Sequence, residues 1–351
     1  MKRPPLSRSE ELLLIARLYY DENLSKTAIG SRLGLSVTHV ARLLEQARET
    51  GLVRIEYRGP RNVKLIGELK ARYPCLRDVV VIATESDYLI HTRTLARAAA
   101  DYFDEYLATR RSTVKVGLSG GLTVFEFVKA LPEQARNITL YPTAILGRGD
   151  TIVNHFDPIA SLMTLWVKSG YREGGLYMVT VTPLEKKDGQ RLSPAEVQKQ
   201  IDKILETQKV NRLYKAMSDV DMIFASLRQF AVPDSKKIKK QMGAMALDLL
   251  DDIGINKQDL KGAVGDLNYS FIDENGDSRK EWRLFLSLQA DQLREIAKNP
   301  LKRVVVIAGQ QKRDILRAAL KGRLLNVLVT DETTAAALLG DGPAPEQSLP
   351  S

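Results

Sequence analysis

One cysteine, Cys75, stands among 351 residues, so no disulfide can form within the chain and no zinc site can be assembled from several cysteines. That scarcity predicts a reducing compartment, with Cys75 a small hydrophobe near the start of a strand. Histidine is nearly as rare. His39, His91 and His155 are the whole supply, which leaves little for general acid–base catalysis at neutral pH. No run of about 18 apolar residues occurs, the length a membrane-spanning helix needs. The opening stretch, MKRPPLSRSEELLL, has charges and prolines where a secretory leader has an apolar core and a cleavage site. A cytoplasmic protein with no membrane partner is therefore expected. No internal repeat is visible.

What is present is an ordinary soluble composition, 44% hydrophobic and 27% charged, at a length that suits two domains. A net charge of +9 calls for an acidic partner, nucleic acid first. The first sixty residues fit that partner. From Ser7 or Ser9 to Tyr20, residues Leu12, Ile15, Ala16 and Tyr19 recur with helical spacing behind a serine cap. A second helix starts at Ser25, turns Ala28, Ile29 and Leu33 inward, and stops at Gly34. Ser36 caps a third, VTHVARLLEQARET, ending at Gly51. Two short helices joined through a glycine-containing turn make a helix-turn-helix. In the third helix Val40, Leu43, Leu44 and Ala47 form the core stripe, while Ser36, Val37, Thr38, His39 and Arg42 lie at the end that would enter a major groove. Arg48 and Arg54 are placed for phosphates. GLVRIEY alternates like one strand of a wing. His39 serves equally as a DNA contact or as a polar cap residue, and the same pattern could be a small helical bundle with a solvated basic face.

The polar stretch YRGPRN, residues 57 to 62, marks a boundary, so the expected division is 1–57, a connecting region 58–75, a large domain 76–340 and a disordered tail 341–351. In the large domain DVVVIAT, VKVGL, ITLYPTAIL, LYMVTVTP, VDMIFASL, RVVVIAG and NVLVTD are apolar runs separated by helical segments. Such runs predict a doubly wound, mostly parallel α/β sheet covered on both faces. In these sheets ligands lie beyond the carboxyl ends of strands, and four loops there carry chemistry. Ser119-Gly120-Gly121-Leu122-Thr123 is a glycine turn opening a helix, where free amides and hydroxyls can hold an anion. It lacks the lysine of a phosphate-binding Walker loop and the third glycine of a dinucleotide fingerprint. Arg148, between two glycines, could pair with a phosphate. Asp266, after a Gly-x-x-Gly turn, suits sugar hydroxyls or serves as a turn cap. Lys312 starts a helix directly after a strand, an unfavourable place for a cation unless an anion lies between them.

Together LYYDENLSKTAIGSRLGLS, VARLLEQARETGLVRI, GAVGDL, FIDENG and AALKGRLLNVLVTDETTA resemble the SorC family of bacterial transcriptional regulators, from about Leu12 to Leu339. The resemblance implies an N-terminal winged helix-turn-helix followed by an effector domain like the sugar-phosphate isomerase and deaminase folds, without their catalytic machinery. It further implies a homodimer or homotetramer on palindromic or pseudo-palindromic operator DNA, controlled by a small sugar-phosphate or sugar-alcohol effector in carbohydrate catabolism. No cofactor, metal site or catalytic residue is expected. Residue by residue, Ser119 to Thr123 would hold the phosphate with Arg148 assisting, Asp266 would take hydroxyls, and Lys312 would reach phosphate or hydroxyl. The chain departs from the family pattern at Gly120, where an aromatic residue is usual, at Ala225-Ser226-Leu227 in place of Gly-Ile-Gly, and at Gly309-Gln310 in place of two glycines. A phosphosugar isomerase or deaminase fused to a DNA-binding unit is the alternative. The helix-turn-helix weighs against it, since a free-standing phosphosugar enzyme has no use for one.

Overall fold

A computed structural model describes residues 7–53, 62–145, 158–170, 175–177, 193–230, 257–309 and 312–340. Arg54, Arg148, His155, Gln310, the wing beyond Val53, most of LYMVTVTP and the tail 341–351 lie outside the described residues. The chain divides into two compact units, Met1–Arg58 and Gly59–Ser351.

In the first unit, helix α1 (Arg8–Tyr20) is opened by Ser7, whose hydroxyl accepts the Glu10 amide while the Glu10 carboxylate accepts the Ser7 N–H, a reciprocal capping box. Ser25 caps α2 (Lys26–Leu33) and Ser36 caps α3 (Val37–Glu49) without the reciprocal bond, each hydroxyl accepting the amide three residues on. Gly34 ends α2 at φ 70°, a left-handed position that closes the turn before α3. The core is Leu12, Ile15, Ala16, Leu18, Ile29, Val40, Leu43, Leu44 and Ala47. The stripe expected on α3 is found whole. On α2 one expectation is corrected: Ala28 is exposed, and Gly30 takes the inward place beside Ile29. A β-carbon on Gly30 would stand 2.5 Å from the Leu35 carbonyl oxygen, so the helix lies too close to the chain entering α3 for any side chain there.

The second unit is built on a parallel six-stranded sheet. Its strands are β1 (Asp78–Ile82), β2 (Val114–Leu118), β3 (Ile138–Pro142), β5 (Met222–Ala225), β10 (Arg303–Ile307) and β11 (Val327–Asp331), in the order β1-β11-β10-β5-β2-β3. Period two sends alternate residues to opposite faces. Val79, Val81, Ile223, Val304, Val306 and Leu328 enter one core, with Leu69 of α4 (Val63–Arg72) and with helices α8 (Pro194–Leu205), α9 (Gln208–Met217), α10 (Ala290–Lys298), α11 (Arg313–Lys321) and α12 (Glu332–Gly340). Val80, Ile82, Met222, Phe224, Val305, Ile307, Val327 and Val329 enter the other, with α5 (Tyr88–Ala108), α6 (Leu122–Ala130) and α7 (Pro158–Lys168). Both faces are thus covered, as continuous apolar runs require.

Two small antiparallel sheets are added. Strand β4 (Ala144–Ile145) pairs with β9 (Leu286–Ser287), and β6 (Leu227–Gln229), β7 (Gly265–Leu267) and β8 (Ser270–Ile272) form the second. The β7–β8 hairpin turns on Asn268 and Tyr269, at φ 57° and 62°, a pair of left-handed residues that matches the strand twist. Asn268 is fully buried: its amide donates to the carbonyls of Thr143 (3.1 Å) and Leu288 (3.3 Å), and its side-chain oxygen accepts from the Thr143 hydroxyl (2.5 Å). Asp266 therefore lies in a strand, where the sequence suggested a loop. GAVGDLNYSF contains β7 and the start of β8, and the strand on the other side of β7, β6, is distant in the chain.

Candidate functional site

Strand order decides where this site can be. From β2 the chain moves outward to β3, whereas from β5 it moves the other way to β10, so the carboxyl ends of β2 and β5 flank a crevice that neither connection covers. The glycine turn after β2 opens into that crevice. Gly121 is the N-cap of α6 at φ 112°, ψ 148°, with no side-chain hydrogen bond closing the helix end. Helices α1 to α5, by contrast, each carry a Ser, Asn or Asp cap. The first-turn amides of α6 and its dipole thus favour a negative charge. Ser119 is fully buried and Thr123 is 7% exposed.

Lys312, 189 residues further on, donates from Nζ to Thr123 Oγ1 at 3.1 Å. The structure thereby brings together two of the four loops singled out by sequence. It also corrects the reason given for Lys312. No anion is needed between the lysine and α11, because Gln229 Oε1 accepts the amides of Asp314 (2.8 Å) and Ile315 (3.3 Å). Lys312 is the N-cap of α11 and makes no side-chain cap, its ammonium going to α6 instead. Enclosure of that ammonium lowers its pKa to about 8; the nearby Asp266 carboxylate acts to raise it, and Arg228 acts to lower it further.

Asp266, 2% exposed, is already engaged: Oδ2 accepts from Arg228 Nε at 2.7 Å and Oδ1 from the Tyr269 amide at 3.0 Å. An ionised carboxylate offers about four acceptor positions, so capacity for a further hydroxyl remains. Arg228 was missed in the sequence, and Ser226 stood out only as part of Ala225-Ser226-Leu227, not as a site residue. Both lie on the segment after β5, which carries no glycine or charge cluster to mark it, and only strand order brings it beside β2. Gly309, after β10, abuts a buried pair in which His91 Nε2 lies 3.2 Å from Asp331 Oδ2; a β-carbon there would come within 2.8 Å of the imidazole. His91 Nδ1 accepts the Glu85 amide, so Nε2 carries the proton given to Asp331. That pair joins α5 to β11. A separate open cleft of about 420 Å³ at the amino ends of β5 and β10 includes Arg294 and Lys302, whose cations are satisfied by Asp277 and Asp219 and by backbone carbonyls.

In the first unit, α3 presents Val37, 46% exposed, together with the exposed Thr38 and Arg42. Arg42 Nη2 lies 3.0 Å from His39 Nδ1. Since a guanidinium only donates, His39 accepts there and carries its own proton on Nε2. Ser36 Oγ accepts the His39 amide at 3.1 Å, its capping role. Arg48 is held by the Tyr20 hydroxyl through Nε (3.0 Å) and Nη2 (2.7 Å), linking the ends of α1 and α3. No group of metal-ligating side chains occurs among the described residues, and none of their helices is long and apolar enough to cross a membrane.

A helix-turn-helix unit followed by a parallel α/β unit with an anion-favouring crevice defines the class, a transcriptional regulator with a ligand-binding domain. Known proteins to which the chain is similar are of the same class. The profile of a sugar-binding domain family, Sugar-bind, matches residues 192–340. The chain is 26% identical over 349 residues to the deoxyribonucleoside regulator of Bacillus subtilis, covering 96% of this chain and all of the other. It is also 26% identical over 339 residues to the transcriptional regulator LsrR of an Enterobacter species, covering 95% and 94%. In fold it matches the full-length sorbitol operon regulator SorC of Klebsiella pneumoniae with a TM-score of 0.62 at 21% identity, over 94% of this chain and 98% of that one. The chain is thus similar along nearly its whole length to bacterial transcriptional regulators, and its C-terminal part to a sugar-binding domain.

Proposed function

We propose that this regulator binds operator DNA through α3 and that its affinity is set by a small phosphorylated sugar or sugar alcohol from carbohydrate catabolism, held at the carboxyl ends of β2, β5 and β10. The observation that carries the reading is the Lys312–Thr123 bond, which places a partly buried cation at the first turn of a helix with no side-chain cap. In this reading the amides of residues 120 to 123 and the Ser119 and Thr123 hydroxyls take the phosphate, Lys312 neutralises it, and Arg148 assists. Asp266 receives a sugar hydroxyl. On α3, Val37, Thr38, His39 and Arg42 face base edges, Ser36 holds the helix start, and Arg48 stands near the phosphates. The protein acts in the cytoplasm as a homodimer or homotetramer, with half-sites about one helical turn apart, ~34 Å.

Effector and operator are linked by a coupling free energy of ~1–3 kcal/mol, so a ligand that changes operator occupancy ~5–150-fold is itself bound that much differently on DNA. A thermal-shift screen of the full-length protein against phosphorylated and unphosphorylated sugars tests the ligand class, since a ligand at 100 times its Kd stabilises by ~2.7 kcal/mol. Stabilisation by unphosphorylated sugars alone would refute the phosphate assignment, and turnover of sugar phosphates at enzymatic rates would refute the regulator reading.

A further inference from the structure

The buried hydroxyl of Ser119 is not bonded within its own turn. Its partner is Ser226 Oγ, 2.8 Å away and 107 residues later in the chain. Ser226 is the single residue between β5 and β6, at the carboxyl end of β5 where the parallel sheet gives way to the antiparallel one. Its position is held from the far side, because its carbonyl accepts the Asn268 amide at 2.8 Å and Asn268 is itself locked to Thr143 and Leu288. On the near side Ser226 abuts the N-cap of α6: a β-carbon on Gly121 would stand 3.0 Å from the Ser226 β-carbon. Ser226 thus forms a wall of the crevice opposite the uncapped helix end.

Two hydroxyls carry two protons, and the bond between them uses one. Whichever serine donates, the other keeps an O–H to offer a third group. An anion over the start of α6 supplies the acceptor, and it orients both protons in one direction, each bond strengthening the next.

We propose that Ser226 is a binding residue of the effector site, acting with Ser119 as one hydrogen-bonding unit that presents a single O–H to the anionic group of the ligand. The inference rests on the effector reading above. The test uses the full-length protein with inorganic phosphate as the probe, followed by calorimetric titration. Ser226→Ala is expected to weaken phosphate binding about tenfold, the loss of one charge-assisted hydrogen bond. Ser119→Ala should do the same, and the double variant no more than either single one, because the two act as a unit. Ser226→Thr, which keeps the hydroxyl, should restore binding. Melting curves without phosphate report whether each variant is folded.

Wild-type affinity in a folded Ser226→Ala protein overturns the proposal, as do single losses that simply add in the double variant. A variant that loses binding but also fails in the Thr replacement overturns it too, since the hydroxyl is then not the cause. If the wild-type protein ignores both inorganic phosphate and sugar phosphates, the effector reading itself falls and Ser226 with it.

Discussion

An ammonium group with a pKa of about 8 should make anion binding depend on pH in a range where ordinary lysines do not titrate. Lys312 is shifted down from 10.5, chiefly because its amine is enclosed, so between these two values the free protein holds it increasingly neutral. A bound phosphate favours the charged form, which raises the pKa in the complex and makes binding take up a proton above pH 8. If only the ammonium form binds, affinity falls ~50-fold between pH 8 and pH 10, about 1.4 kcal/mol for each pH unit once the group is mostly neutral. A lysine at its ordinary value would lose less than about twofold over the same range. Inorganic phosphate stays a dianion throughout, so the ligand's own titration does not intrude. Calorimetric titrations at pH 8, 9 and 10 measure the slope. Repeating the pH 9 titration in two buffers of different ionisation enthalpy counts the proton, with roughly 0.9 expected to be taken up. In Lys312→Met binding should be weak and nearly flat with pH. A flat wild-type curve, or the same slope in the variant, would refute the assignment of Lys312 to the anion.

Three further outcomes are expected. Gly121→Ala forces a side chain into a backbone conformation that only glycine holds comfortably and sets a methyl against Ser226, which should lower stability by ~1–3 kcal/mol in thermal unfolding and weaken phosphate binding; an unchanged protein would show that the turn relaxes freely. Asn268→Ala removes the side chain that satisfies Thr143 and Leu288 and leaves a left-handed position to alanine, so urea unfolding should show a loss of ~2–4 kcal/mol. Arg42→Ala should cost ~1–3 kcal/mol in specific operator binding and less in nonspecific binding, read by fluorescence anisotropy at fixed salt; equal losses would make Arg42 a phosphate contact.

Much of the fold could be read residue by residue. Val40, Leu43, Leu44 and Ala47 are buried as their spacing demands, because a helix repeats every 3.6 residues whatever it packs against. Runs such as RVVVIAG and NVLVTD became central strands for a similar reason: a segment apolar on both sides needs cover on both sides. Where reading failed, the deciding contact was distant. Ala28 has the composition of a core residue, but the chain's return toward α3 gave that place to Gly30. Asp266 looked like a loop residue because its strand is three residues long and its partner β6 lies far off in sequence.

The division is clearest at the crevice. Local chemistry alone determined that a glycine turn would open α6 without a cap and that a lysine would follow β10, since turns and helix ends are written in a few neighbouring residues. That Lys312 meets Thr123, that Ser226 meets Ser119, and that Gln229 caps α11 in place of an anion were decided by tertiary structure. Those meetings depend on β2, β5 and β10 lying side by side, and strand order is chosen by how whole faces pack, a property of the assembled sheet that no short segment carries.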